Sequence, residues 1–92
     1  MIKVIFRIHR DAKTTHDKFQ KAVLQSGPEL GAVPSLRRYF HHFVQPPYGH
    51  DAEGYLELWL EEGTEMENIM AAPGIEALLV PQAPFWLELM DD

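Results

Sequence analysis

The residues best suited to chemistry lie in one short segment, residues 35–45, with the sequence SLRRYFHHFVQ. Alternate side chains of a β-strand lie on opposite faces. The alternation predicts one face with Leu36, Arg38, Phe40, His42 and Val44, and another with Arg37, Tyr39, His41, Phe43 and Gln45. A purely structural strand separates apolar from polar residues, whereas here aromatic and ionisable groups share a face. The segment therefore predicts a small pocket built on a sheet.

His41 is the expected proton carrier of this pocket. Tyr39 lies two residues away, roughly 7 Å along a strand, so both side chains would reach one small ligand. Tyr39 would hydrogen-bond a carbonyl or enolate oxygen, and Glu57, expected on the same face of the next strand, would orient and tune the imidazole. The alternative is structural: His41 packs an amphipathic face, and Glu57 pairs with Arg7 or Arg37.

Aromatic side chains on the same mixed face predict the ligand class. Tyr39, Phe43, Trp59 and Trp86 would line a pocket for a flat, partly apolar ligand, although ordinary core packing is the alternative. Substrate-binding residues on this face are expected to be Arg7, His9, Phe43, Trp59 and Trp86.

Histidine spacing argues against a metal site. His41 and His42 are adjacent, so a strand directs them to opposite faces and they cannot bind one ion. A triad of His9, His41 and Glu57 would suit a metal, but no short metal-binding motif accompanies it. We therefore expect no metal and no cofactor.

Composition restricts the class of protein. The chain has 92 residues, enough for one domain spanning 1–92. Its net charge of −6 disfavours nucleic acid, and its lack of cysteine excludes disulfides and thiolate nucleophiles. We find neither a signal-peptide pattern nor an apolar run of about 20 residues. A cytoplasmic protein without a membrane partner is expected.

The periodicity of apolar residues predicts an α+β fold. Strands are expected at residues 2–9, 35–45, 54–61 and 85–90, with a loop at 46–53. A first helix begins at Thr14 or Thr15 and ends at Gly27-Pro28, and a second begins at a capping box, residues 64–67, and ends at Pro73. This order predicts a ferredoxin-like βαββαβ domain: a four-stranded antiparallel sheet with two helices on one face.

Three strands carry an unbroken apolar row. The rows are Val4, Phe6 and Ile8; Leu56, Leu58 and Leu60; and Phe85, Leu87 and Leu89. We assign this apolar face to a homodimer interface and the mixed face to the helices, an assignment that the pattern alone leaves open.

Five short motifs, in this order and at this spacing, resemble a known family. They are MIKVIF at residues 1–6, THDKF at 15–19, SGPEL at 26–30, LRRY at 36–39 and ELW at 57–59. The chain resembles the EthD-like branch of the dimeric α+β barrel superfamily. The resemblance implies two ferredoxin-like protomers whose sheets form a shared barrel, with a pocket in each protomer between sheet and helices. Members and relatives include polyketide cyclases and dehydratases, methylmuconolactone methylisomerase, and proteins of unproven activity.

Two positions of the family pattern correspond to residues of this chain. The family often has a histidine immediately before the Gly-Pro that follows the first helix, and this chain has Ser26 there. The tyrosine of the second strand is kept as Tyr39, and in methylisomerase-like members both positions belong to the pocket. Serine does not titrate near neutral pH, so Ser26 would orient a substrate rather than act as a general base.

The leading functional hypothesis is a cofactor-independent enzyme of isomerase or lyase type. It would act by proton transfer, in a cyclisation, isomerisation or dehydration, on a small aromatic or polyketide-like compound. A non-catalytic small-molecule-binding or stress-response dimer is the alternative that the missing histidine favours. A cofactor-free monooxygenase is a third, since the superfamily contains such enzymes.

Overall fold

The computed structural model describes residues 1–44 and 53–90, so Gln45 and most of the expected loop lie outside the described residues. Its elements are β1 (Ile2–Arg10), α1 (His16–Gln25), α2 (Gly27–Leu30), β2 (Leu36–Phe43), β3 (Gly54–Leu60), α3 (Met66–Met70), α4 (Pro73–Glu76) and β4 (Phe85–Leu89). The strands form one antiparallel sheet in the order β2-β3-β1-β4. This confirms the predicted α+β, ferredoxin-like fold.

A separate short helix, α2, follows the first helix, and the helix that begins near Thr64 is shorter than predicted. Thr15 caps α1 by accepting a hydrogen bond from the Lys18 backbone N–H at 3.3 Å. The predicted capping box is wrong, because Thr64 Oγ1 instead donates to the Glu61 carbonyl and α3 begins without a side-chain cap. No helix in residues 1–44 or 53–90 has the length and apolarity needed to cross a bilayer.

The apolar face of the sheet is covered by the helices, so its assignment to a dimer interface is wrong. Phe6 and Leu58 are 0% exposed, and they share one core with helix residues such as Phe19, Val23 and Ile75. The apolar stripes of the helices need an apolar partner, and the leucine rows of the same chain provide it. The mixed face therefore points away from the helices, and we call it the outer face.

One β-bulge determines how β2 contributes to the two faces. Leu36 pairs with Leu60 on the helix side, but Arg38 pairs with Trp59 on the outer face, so Arg37 is the extra residue. The alternation consequently shifts by one position within the strand. The predicted grouping of Leu36 with Arg38 is wrong for this reason.

Replacement of Leu58 by alanine tests which face is the core. Leu58→Ala should lower the free energy of unfolding by about 2–5 kcal/mol, because it opens a cavity between sheet and helices. Ile5→Ala, on the half-buried outer face, should lower it by about 1 kcal/mol or less. Urea denaturation of both variants measures the difference. Equal destabilisation would contradict the described arrangement.

Candidate functional site

The sheet divides the residues predicted to form one site. Tyr39, His41 and Phe43 pair with Leu58, Leu56 and Gly54, which places them on the helix side; we call these three the helix-side row. Residues on the outer face are Arg7, His9, Glu57, Trp59 and Trp86. The two groups lie on opposite sides of one layer of backbone and cannot contact the same ligand atom.

Glu57 has a different partner from the one predicted. It pairs across the strands with Phe40, whereas His41 pairs with Leu56 on the other face, so the predicted His41–Glu57 pair is wrong. Glu57 Oε2 lies 3.1 Å from His42 Nε2, and Oε1 accepts a hydrogen bond of 2.8 Å from Trp59 Nε1. The carboxylate therefore orients His42 and the indole of Trp59.

The alternative ion pairs proposed for Glu57 are also wrong. Arg7 Nη1 lies 3.4 Å from Glu88 Oε1, and Arg37 pairs with Glu61. Both arginines thus have carboxylate partners other than Glu57.

Aromatic contacts connect the helix-side row to the core. The Tyr39 and His41 rings meet edge to face with centroids 5.5 Å apart, and His41 lies 6.4 Å from Phe43. Phe43 in turn contacts Phe19 of α1 edge to face at 6.0 Å. Tyr39, with 38% of its surface exposed, is the member of the row most open to solvent. The imidazole therefore lies between two aromatic rings, one of which packs on α1.

The phenol of Tyr39 lies against the start of α2. A Cβ atom added to Gly27 would lie only 2.9 Å from Tyr39 Oη, so the close approach requires glycine there. Ser26 is the adjacent residue, and the fold brings it to the same side of the sheet as Tyr39. Its hydroxyl donates a hydrogen bond of 2.5 Å to the Val23 carbonyl oxygen, so the hydroxyl proton is already engaged at the end of α1.

His41 has an unusual environment for a histidine. Its Nε2 is buried and has no hydrogen-bond partner among the described residues. Burial lowers the pKa of His41 below its usual value, and the neighbouring charge of His42 lowers this pKa further. The imidazole is therefore neutral at neutral pH and is available to accept a proton.

Arg7, His9 and Trp86 form a separate cluster where β1 meets β4. His9 stacks on Trp86 with centroids 5.3 Å apart, and its Nε2 lies 3.1 Å from Glu88 Oε1. The hydrogen bond from His9, together with the charges of His9 and Arg7, lowers the pKa of Glu88. Arg7 and His9 both bind Glu88, and β3 separates this cluster from β2.

An open cavity of about 480 Å³ lies on the outer face, over β2 and β3. Its lining residues are Met1, Arg38, Phe40, His42, Glu57 and Trp59. Arg38, Phe40 and His42 were not predicted from the sequence to be site residues. The sequence feature that could have indicated them is Leu36. Regular alternation puts Leu36 and Arg38 on the same face, so a core Leu36 leaves Arg38 on the outer face only if a bulge lies between them.

The metal-binding triad considered from the sequence is not brought together by the fold. His9 and His41 lie on opposite faces of the sheet, so the triad considered from sequence cannot form. Within residues 1–44 and 53–90, no group of three or more histidine or acidic side chains is placed to hold a metal ion.

Comparisons with known proteins leave the family of this chain as a prediction. No protein-family model matches it, and no curated protein shows significant similarity to it. Membership of the EthD-like branch therefore depends on the motifs quoted above.

The pKa of His41 can be measured directly. A pH titration followed by NMR should place it below about 6.5, the value of an unperturbed histidine. His42→Gln should raise it, because a neighbouring positive charge is lost, but should not restore it fully, because burial is the larger cause. A His41 midpoint at or above the unperturbed value would contradict the described burial.

The same shift predicts a pH dependence of stability. The unfolded chain takes up the His41 proton more readily than the folded chain, so protonation favours unfolding. The free energy of unfolding should therefore fall as pH drops from about 6.5 towards the lowered pKa, and this group should have no effect above that window. In His41→Gln this part of the pH dependence should disappear from denaturation curves, whereas Lys13→Gln, an exposed control, should retain it.

Proposed function

We propose that this chain is a cofactor-independent enzyme that moves a proton on a small aromatic or polyketide-like compound. The reaction class is cyclisation, isomerisation or dehydration. The observation that carries the proposal is the buried Nε2 atom of His41, which lacks a partner among the described residues and belongs to an imidazole that burial keeps neutral.

An unpaired buried nitrogen favours a ligand that pairs with it. Leaving such a group unsatisfied costs about 1–3 kcal/mol, and a substrate group that reaches Nε2 removes this penalty. A neutral imidazole then accepts a proton from a carbon next to a carbonyl and returns it to another atom of the substrate. Because Nε2 is shielded from water, binding must displace part of the niche formed by Tyr39 and Phe43.

Tyr39 supports the charge that develops during such a transfer. Its hydroxyl, held near Gly27, donates to the carbonyl oxygen as this oxygen becomes an enolate. Phe43 and Phe19 keep the imidazole in apolar surroundings, which strengthens each polar contact with the substrate. Glu57, on the outer face, has no part in this mechanism.

The resemblance to the EthD-like branch agrees with a site on the helix side. It implies a pocket between sheet and helices to which the Ser26 and Tyr39 positions both contribute. Ser26 also supports the second candidate, a non-catalytic small-molecule-binding dimer. Its hydroxyl proton is already donated to the Val23 carbonyl, so this position offers no general base.

The part of the outer face formed by β1 and β4 is proposed as the surface that pairs with a second copy of the chain. Ile5, Trp86 and Met90 are half-buried there without cover from any described helix. Large apolar groups left uncovered on a sheet face are typical of an association surface. The resemblance to the EthD-like branch also implies a dimer.

Exchange of an α-proton measures the proposed activity without knowledge of the natural substrate. The protein should accelerate hydrogen–deuterium exchange at the α-carbon of 1-tetralone, an aromatic ketone, as followed by NMR. His41→Gln should reduce the acceleration by about 10²–10⁴-fold, on the order of 3–5 kcal/mol in the barrier. Tyr39→Phe should reduce it less, because the ring stays and one hydrogen bond is lost.

Two further variants separate the enzyme from the binder. Gly27→Ala should shift the Tyr39 hydroxyl and slow exchange while leaving the unfolding midpoint nearly unchanged, because the obstructing atom is the end of a side chain. Ser26→His should raise exchange from a low baseline if the natural protein is a binder that lost its base. Saturable binding of 1-tetralone with no exchange in the wild type would overturn the enzyme proposal in favour of the binder.

Light scattering tests the proposed dimer. The wild type should have the mass of two chains at micromolar concentration, and Ile5→Glu should halve it while far-UV circular dichroism stays unchanged, since a buried unpaired charge is strongly destabilising at an interface. Lys13→Glu, an exposed change elsewhere, should leave the mass alone. A wild-type mass of one chain would exclude the dimer at this concentration.

A further inference from the structure

The last outward-facing row at one end of the sheet places a tryptophan between two cations. Trp59 pairs with Lys3 of β1 on one side and with Arg38 of β2 on the other. We call these three residues the end row. We propose that the end row binds a planar aromatic carboxylate, whose ring packs on Trp59 and whose charge meets Arg38.

The indole of Trp59 is held in one orientation before any ligand arrives. Its Nε1 donates to Glu57 Oε1 at 2.8 Å, and Lys3 Nζ lies over the ring, 5.5 Å from its centroid. An aromatic surface that is already fixed loses little conformational entropy when a ligand packs on it. Phe40, 45% exposed, supplies a second apolar wall of the same cavity.

The cavity lining contains a guanidinium that has no counter-ion among the described residues. Arg38 makes no ion pair or hydrogen bond with the described residues, whereas the neighbouring Arg37 is paired with Glu61. The nearby carboxylate of Glu57 is already occupied by Trp59 and His42. A guanidinium in this situation favours a carboxylate, which it binds through two parallel hydrogen bonds.

Size and balance of charge narrow the ligand class. A volume of about 480 Å³ suits a small molecule of one or two rings. A neutral aromatic compound would leave Arg38 unused, and a polyanion would face Glu57 and a chain of net charge −6. A single carboxylate on a planar ring satisfies both limits. This site is separate from the helix-side row and does not require His41 or Tyr39.

The test compares 2-naphthoate with its neutral analogue 2-naphthamide. The chain has two tryptophans, so Trp86→Phe identifies the indole N–H signal of Trp59 in an ¹⁵N-correlated NMR spectrum. Naphthoate should shift this signal saturably, and naphthamide should bind at least about tenfold more weakly, since a hydrogen bond to a charged group is lost. Equal affinities, or no response at Trp59, would overturn the proposal.

Adjacent arginines provide a matched control. Arg38→Gln should weaken naphthoate binding at least about tenfold, whereas Arg37→Gln, the same loss of charge one residue away, should change it by less than about twofold. His41→Gln should leave the affinity unchanged, which separates this site from the proposed catalytic one. Equal losses in Arg37→Gln and Arg38→Gln would mean that only general charge attracts the ligand, and would overturn the specific site.

Discussion

The pairing of β2 with β3 is the constraint on which both candidate sites depend. It places Tyr39 beside Leu58 and Arg38 beside Trp59, so consecutive residues of one strand enter different environments. The bulge at Arg37 sets this pairing while still letting Leu36 join the core. Each chemical group on β2 therefore has its role because of a single extra residue.

The two histidines of β2 show how strongly the side of the sheet determines chemistry. His41 lies on the helix side between two aromatic rings, and burial lowers its pKa. His42, the next residue, is exposed on the outer face and meets the carboxylate of Glu57. Burial of the His41 ring opposes charge on the inner side. The inner side suits proton transfer, and the outer side suits recognition of charge.

The order of strands and helices along the chain was predictable because local patterns were strong. The alternation of Leu56, Leu58 and Leu60 indicated a half-buried strand, and the Thr15 cap indicated the start of α1. The predicted use of the apolar face is wrong because the chain's own helices cover it. Phe19 and Val23 already required an apolar sheet, and that requirement was the stronger physical argument.

Side-chain placement on β2 could not be derived from the sequence, because both of its faces mix aromatic and ionisable residues. A hydrophobic pattern fixes register only where one face is clearly apolar. Simple alternation on β3 correctly places Glu57 and Trp59 on one face. Whether His41 shares that face depends on which β3 residue it pairs with, and this pairing is determined by the tertiary structure.

A β-sheet prevents side chains on its two faces from touching the same ligand, but it does not prevent electrostatic interaction between them. No ligand can touch His41 and His42 together, yet the charge of His42 contributes to the lowered pKa of His41. An anion bound beside His42 would offset its charge and so weaken this effect on the pKa of His41. The single layer of backbone between the two histidines prevents contact but transmits an electrostatic effect, so a ligand bound on one face would change the pKa of a side chain on the other.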